Sequence, residues 1–276
     1  MKRRLLARAA YYGGMHLSSW AEDAKHAIFG GRDPLVPPRR IDHNRGFHEG
    51  EENIALMRQH ADLQPHHRVL DVGCGIGRVA KPLTRFLDSE GSYVGVDIVE
   101  RSVKWMQQAY GPGHPNFKFH HLDVHNSAYN PTGKYQADTV EFPFPGEAQF
   151  DIVFLFSVFT HMYPQHIRHY LKLIERQLKP GGRLLASMFI NDDFAQAQQK
   201  VDKSLKRSTR RFRQKTADYY APRRTNPEFA VAFDLEQLDR LFAGTGLTIR
   251  PPFVYGNWCY RPGAVDFYQD VVVATK

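Results

Sequence analysis

A chain of 276 residues, 42% hydrophobic and 24% charged, can bury one large core with a small appendage, and it carries a net charge of +8. No run approaches the roughly 18 apolar residues of a membrane span, so a globular protein that crosses no bilayer is expected. Two cysteines, Cys74 and Cys259, form neither a metal spacing nor a disulfide framework, which fits a reducing cytoplasm.

The first segment, "MKRRLLARAAYYGGMHLSSW", starts like a signal peptide, but Arg8, Gly13, Gly14 and His16 interrupt any apolar h-region, so it reads as uncleaved. Residues 1–45 are expected to form a helical, proline-broken arm or lid before the main domain at 46–276. "RVLDVG" is the first strand, followed by a glycine turn and a helix over Ile76–Leu87. "SYVGVD", the helical "ERSVKWMQQAY" and the strand "NFKFHHLD" come next. Residues 124–149 are a long insertion rich in turn formers and aromatics. "FDIVFLFS" has the continuous apolar run of a strand buried on both faces.

Pro164 opens a helix in which Ile167, Tyr170, Leu171, Ile174 and Leu178 recur at helical spacing, stopped by "KPGG" and followed by the strand "RLLASMFI". A second insertion spans 191–233. From Lys200 to Lys215 it holds Lys200, Lys203, Lys206, Arg207, Arg210, Arg211, Arg213 and Lys215 against the single acid Asp202. With Lys2, Arg3, Arg4 and Arg8, this run invites an anionic partner or is a solvated face. Asp234 with Gln237 makes a capping box for a last helix. Strands around "LTIRPPFVY" and "DFYQDVVVAT" close the chain. The alternation of strand and helix predicts an α/β domain with a mostly parallel sheet.

"VLDVGCGIGRVA" places glycines at 73, 75 and 77 after the first strand, where backbone is open to close approach by a ligand. Arg78 and Val79 follow Gly77, so the Lys and Ser/Thr of a Walker A loop are missing. Arg78 also occupies the third small-residue position of an NAD fingerprint. Asp71 would put a carboxylate near the ligand, which suits a cation better than a pyrophosphate. S-adenosylmethionine carries a sulfonium and an ammonium. Asp97 is placed to accept both ribose hydroxyls and Asp123 the adenine amino group, three acids at three successive strand ends.

Here the chain resembles the class I S-adenosylmethionine-dependent methyltransferases, from "VLDVGCGIGR" through "VGVDI", "HLDV" and "FDIVFLFSVFTHM" to "LKPGGRLLASMF". The resemblance implies a Rossmann-like seven-stranded, mostly parallel sheet with the last strand antiparallel and helices on both faces. It implies that Asp71, Gly73, Cys74, Gly75 and Gly77 surround the methionine part, Asp97 and Ile98 the ribose, Asp123 and Val124 the adenine, and that Ser157 lies near the sulfonium. "YNPTG", "FPFP", "SVFTHM" and "YGNWCYRPG" are similar to a bacterial subgroup associated with glycan or natural-product modification, which suggests a hydroxyl acceptor.

His161, just beyond the central strand, is the candidate general base for that hydroxyl; the competing role is packing or capping. Trp258 and Arg261 are the candidate acceptor-binding residues, Trp258 having a core-plugging alternative. No metal is expected: alternation separates His120 from His121, and "NDD" at 191–193 lacks matching acids after the fourth strand. The competing readings are an N-methyltransferase on a small amine and an RNA-binding enzyme or scaffold using the 200–215 run. Nucleic acid is disfavoured because "SVFT" replaces the N/D-P-P-Y-like block of base-amino enzymes. A peripheral location on an anionic inner membrane face is a third option.

Overall fold

The computed structural model describes residues 33–42, 47–144, 146–201, 211–222 and 229–276. In chain order the elements are α1 (Glu51–Ala61), β1 (Arg68–Val72), α2 (Ala80–Phe86), β2 (Ser92–Asp97), α3 (Glu100–Tyr110), β3 (Phe117–His121) and β4 (Phe150–Leu155). They continue with a 3-10 turn at Phe159–His161, α4 (Pro164–Gln177), β5 (Leu178–Met188), α5 (Asp193–Val201), β6 (Gln214–Lys215), β7 (Tyr220–Ala221), α6 (Leu235–Phe242), β8 (Thr248–Ile249) and β9 (Asp270–Thr275).

Seven strands form one sheet in the order β3-β2-β1-β4-β5-β9-β8. β1 to β5 pair in parallel, and β9 enters antiparallel between β5 and β8. The expected architecture therefore holds. The strand order reverses between β1 and β4, where chain leaves the sheet in opposite directions and opens a crevice at the carboxyl ends. β4 is apolar because both faces are covered: Val153 and Leu155 join one core cluster, Ile152 and Phe154 the other.

The boundaries depart from the sequence reading in ways chain chemistry explains. α2 starts at Ala80 rather than Ile76, because the turn persists through Gly77, whose φ is +82°. "KPGG" belongs to β5, which starts directly after α4. β8 is only two residues long, since Pro251 and Pro252 have no N–H to continue a ladder. The capping box is present, with Asp234 accepting from Gln237 N and the Gln237 side chain accepting from Asp234 N. α1 was not foreseen; it buries Ile54, Leu56, Met57 and Ala61 and packs on β5 and α2.

The insertion at 124–149 has no regular element but is folded back on the domain. Asn126 Oδ1 accepts from Ala128 N and Tyr129 N. Gly133 lies so close to the chain that a Cβ there would sit 2.4 Å from His125 N. Phe142 stacks on Phe144 and packs edge-on to Tyr170 of α4. The second insertion carries α5 and the β6–β7 pair; Lys203, Lys206, Arg207 and Arg210 of the basic run lie outside the described residues, as do residues 1–32 of the arm. Within the described part of the arm, 33–42 is turn without helix, and Asp33 pairs with Lys81 at 2.6 Å. Among the described residues no helix is long and apolar enough to cross a membrane.

Candidate active site

The crevice encloses about 320 Å³ and is walled by the ends of β1, β2, β3 and β4. Gly73 and Gly75 form its floor, with φ of +88° and +53°. A Cβ on Gly73 would lie 2.4 Å from Val158 Cγ2, whereas a Cβ on Gly75 would meet nothing within 4 Å and would project into the open space. Only a residue without a side chain leaves that floor bare.

Asp97 is the acid that reaches the wall. Its Oδ2 accepts from Gly75 N at 2.7 Å and its Oδ1 from Val99 N at 2.8 Å, so the strand end and the glycine turn are locked to one carboxylate. Each oxygen keeps a second lone pair for a ligand hydroxyl. Burial raises the Asp97 carboxyl above its ordinary value, against the pull of the backbone N–H groups of Val99, Gly75 and Ile98 and of His121. Ile98, Leu122 and Val124 supply an apolar side wall.

Ser157 closes the far end with φ of +63°, a strained conformation for a residue with a Cβ. Three bonds hold it there: Ser157 N donates to Ser187 Oγ, and both hydroxyls donate to Gln269 Oε1. His161 lines the same crevice from the 3-10 turn, beside Met162 and His166. The insertion contributes His125, Asn126, Tyr129 and Gln136, and the arm contributes Asp42, none of them anticipated individually. The one available signal was the length of the turn-rich insertion next to a strand end.

Six expected residues lie elsewhere. Asp71 sits behind the wall, 3% exposed, accepting from Tyr93 Oη at 2.6 Å. Burial lifts its carboxyl to about 8, so it is a buried, largely neutral group and not a counter-charge on the crevice surface. Cys74 is a buried packing residue pressed against Gly95, where a Cβ would lie 2.9 Å from its Sγ. Gly77 serves packing as well, since a Cβ there would collide with Met106 and Tyr110 of α3. Asp123 is drawn into the insertion, where its carboxylate takes Asn130 Nδ2 at 3.3 Å and Lys134 Nζ at 3.6 Å; its neighbours Leu122 and Val124 line the crevice instead.

Trp258 is 2% exposed, wedged against Phe189 and Phe212, with Nε1 donating to Asp270 at 2.7 Å. It plugs the core and offers no ring face to an acceptor. Arg261 Nη2 donates to both oxygens of Asp192, and its guanidinium lies 3.9 Å from the Tyr255 ring centroid, outside the crevice. Asp192 of "NDD" is thereby committed, and among the described residues no group of three or more His, Cys, Asp or Glu could hold a metal ion.

The buried Asp71 carries a pH signature. In the unfolded chain it titrates near 4, in the folded protein near 8. The folded state binds the extra proton between those values, so stability is fullest below pH 4 and falls as pH rises toward 8. Asp71→Asn keeps an acceptor for Tyr93 and is expected to remove that slope. Urea midpoints measured from pH 5 to 8.5 should differ least at the acid end and favour the variant increasingly toward the alkaline end.

The described crevice fits S-adenosylmethionine: a bare glycine floor, an apolar wall and the Asp97 carboxylate at the end of β2. Comparison with known proteins agrees. A family model described as a methyltransferase domain matches residues 43–251. The tRNA N(3)-cytidine methyltransferase METTL2 of Danio rerio is 24% identical over 242 residues, covering 81% of this chain and 59% of its own length. The Gallus gallus protein of the same name is 28% identical over 189 residues, covering 66% and 43%. The chain thus spans about half the length of these curated relatives. Among solved structures, the PH0226 protein of Pyrococcus horikoshii superposes with a TM-score of 0.52 at 17% identity, covering 82% of this chain and 88% of its own. A SAM-dependent methyltransferase of Aquifex aeolicus gives 0.50 at 17% identity, covering 89% and 99%. The sequence blocks, the sheet order and the matched span agree: the chain belongs to the methyltransferase domain family, with the class I S-adenosylmethionine-dependent fold and S-adenosylmethionine as its cofactor.

Proposed function

We propose that this chain transfers a methyl group to a hydroxyl on a small molecule or glycan, with His161 as general base. The observation that carries the proposal is the placement of the His161 imidazole on the wall of the crevice that Asp97, Gly73, Gly75 and Ser157 also line. Bound S-adenosylmethionine supplies an electrophilic methyl on a sulfonium. The chain aligns the acceptor, excludes water with Asp42 and the insertion, and takes a proton at the His161 ring. A hydroxyl needs that base because its own pKa is high; an amine needs only to be unprotonated.

His161→Ala is expected to keep cofactor affinity and to lower turnover roughly a hundredfold. Wild-type activity should fall on the acid side, where the protonated ring has no lone pair to offer, and that limb should vanish in the variant. A near-normal rate with the same limb would make His161 a packing residue.

A nucleic-acid acceptor is the second reading, favoured by the names of the curated relatives, which act on tRNA cytidine, and by the net charge of +8. The earlier expectation against nucleic acid finds no support in these relatives. A ring nitrogen with a lone pair needs no base, so an RNA substrate would leave the His161 limb absent from the start. Labelled-methyl transfer to tRNA, glycans and lipid extracts separates these readings, and retention on anionic vesicles tests the peripheral-membrane option.

A further inference from the structure

A second cleft of about 490 Å³ lies along the sheet edge formed by β8 and β9, flanked by the C-terminal end of α1 and the 255–263 loop. It shares no lining residue with the cofactor crevice. Arg183, Arg250, Arg261 and His60 line it and no Asp or Glu does, although Asp192, outside the lining, pairs with Arg261 at 2.6 Å. Sequence order hides this convergence, because the four come from α1, β5, the segment after β8 and the C-terminal loop.

The hydrogen-bonding state of these groups is incomplete. Arg261 Nε and His60 Nε2 are both buried and have no partner among the described residues. Arg250 spends Nε on Thr275 Oγ1 at 3.0 Å, leaving its two Nη groups without a partner among the described residues. Arg183 donates to Ala61 O at 2.7 Å, and its Asp62 partner is 3.6 Å away and outside the lining. Buried polar groups without partners are costly, and guanidinium groups lining one cavity can match a tetrahedral oxyanion.

We propose that this cleft binds a phosphate group, with Arg250 and His60 as direct donors and Arg183 and Arg261 as flanking charge. Burial alone lowers the His60 pKa in the free protein, with no charged neighbour offsetting it. A bound dianion beside Nε2 would reverse that shift. The proposal is independent of the acceptor, since it concerns a different cavity from the one that holds the cofactor.

The test is a histidine-ring NMR titration of the full chain with inorganic phosphate, ionic strength being held constant with chloride. The expected result is a saturable upward shift of the His60 pKa at millimolar phosphate, weakened tenfold or more in Arg250→Gln and abolished in Arg250→Glu. Arg250 is exposed, so both variants should keep the wild-type melting temperature and cofactor affinity. Repeating the titration with glycerol 3-phosphate distinguishes the two sources of the same group. Tighter binding than inorganic phosphate points to a phosphate ester, and weaker binding to the free ion. A shift reproduced by chloride, no saturation, or undiminished binding in Arg250→Glu would overturn the site.

Discussion

Replacing Asp97 by alanine is expected to weaken S-adenosylmethionine binding a hundredfold or more. The carboxylate has two lone pairs to offer after accepting from Gly75 N and Val99 N, and hydrogen bonds to a charged acceptor are worth about 1.5–3 kcal/mol each. Losing two of them removes roughly 3 kcal/mol at the least, which is over a hundredfold in Kd. The variant also frees Gly75 N, so the glycine floor loses its tether to β2. Asp97→Asn separates the two effects, because it keeps the shape but turns one acceptor into a donor. It should retain the fold and still bind weakly. Calorimetry reads both variants. Wild-type affinity in a folded Asp97→Ala protein would mean that the crevice does not hold the ribose on this acid. Because burial raises the Asp97 carboxyl, wild-type affinity should also decline at a less acidic pH than an exposed aspartate would allow, as protonation removes acceptor capacity.

The sheet and the crevice were legible because their signals are local. An apolar run, a glycine turn and an acid at the strand end fix where backbone goes, and the parallel pairing then brings Gly73, Asp97 and Ser157 to one edge. Side chains that depend on a neighbour's path were not legible. Trp258 arrives at the expected end of the sheet, yet its ring turns inward because Asp270 offers an acceptor in the core. Asp123 follows β3 as expected, but the insertion folds back and supplies Asn130 and Lys134 to it. His125, Asn126 and Tyr129 reach the crevice only through that fold. α1 went unseen because its apolar positions fall between charged residues, and only packing on β5 and α2 reveals which side is buried. Gly77 shows that a motif glycine can be required for helix contact without touching ligand.

Asp270→Ala is expected to cost about 3 kcal/mol or more and to lower the melting temperature by roughly 10 °C. Asp270 is 1% exposed at the start of β9. Its Oδ2 accepts from Ile190 N and from Trp258 Nε1, both at 2.7 Å, and its Oδ1 from Gly256 N at 2.9 Å. One carboxylate therefore joins the end of β5, the 255–258 loop and β9. Burial raises its carboxyl only to about 6, so at neutral pH it is ionised and serves all three donors. Alanine strands three buried N–H groups, each costing about 1–3 kcal/mol. Asparagine is expected to help little, since its amide would present a donor where either Gly256 N or the Ile190–Trp258 pair needs an acceptor. Trp258→Phe gives the contrast: it removes one donor, keeps an aromatic ring between Phe189 and Phe212, and should cost clearly less than Asp270→Ala. Thermal melts of the three variants decide the matter, and an Asp270→Ala protein melting within about 2 °C of wild type would show that water or a rearranged loop satisfies those donors.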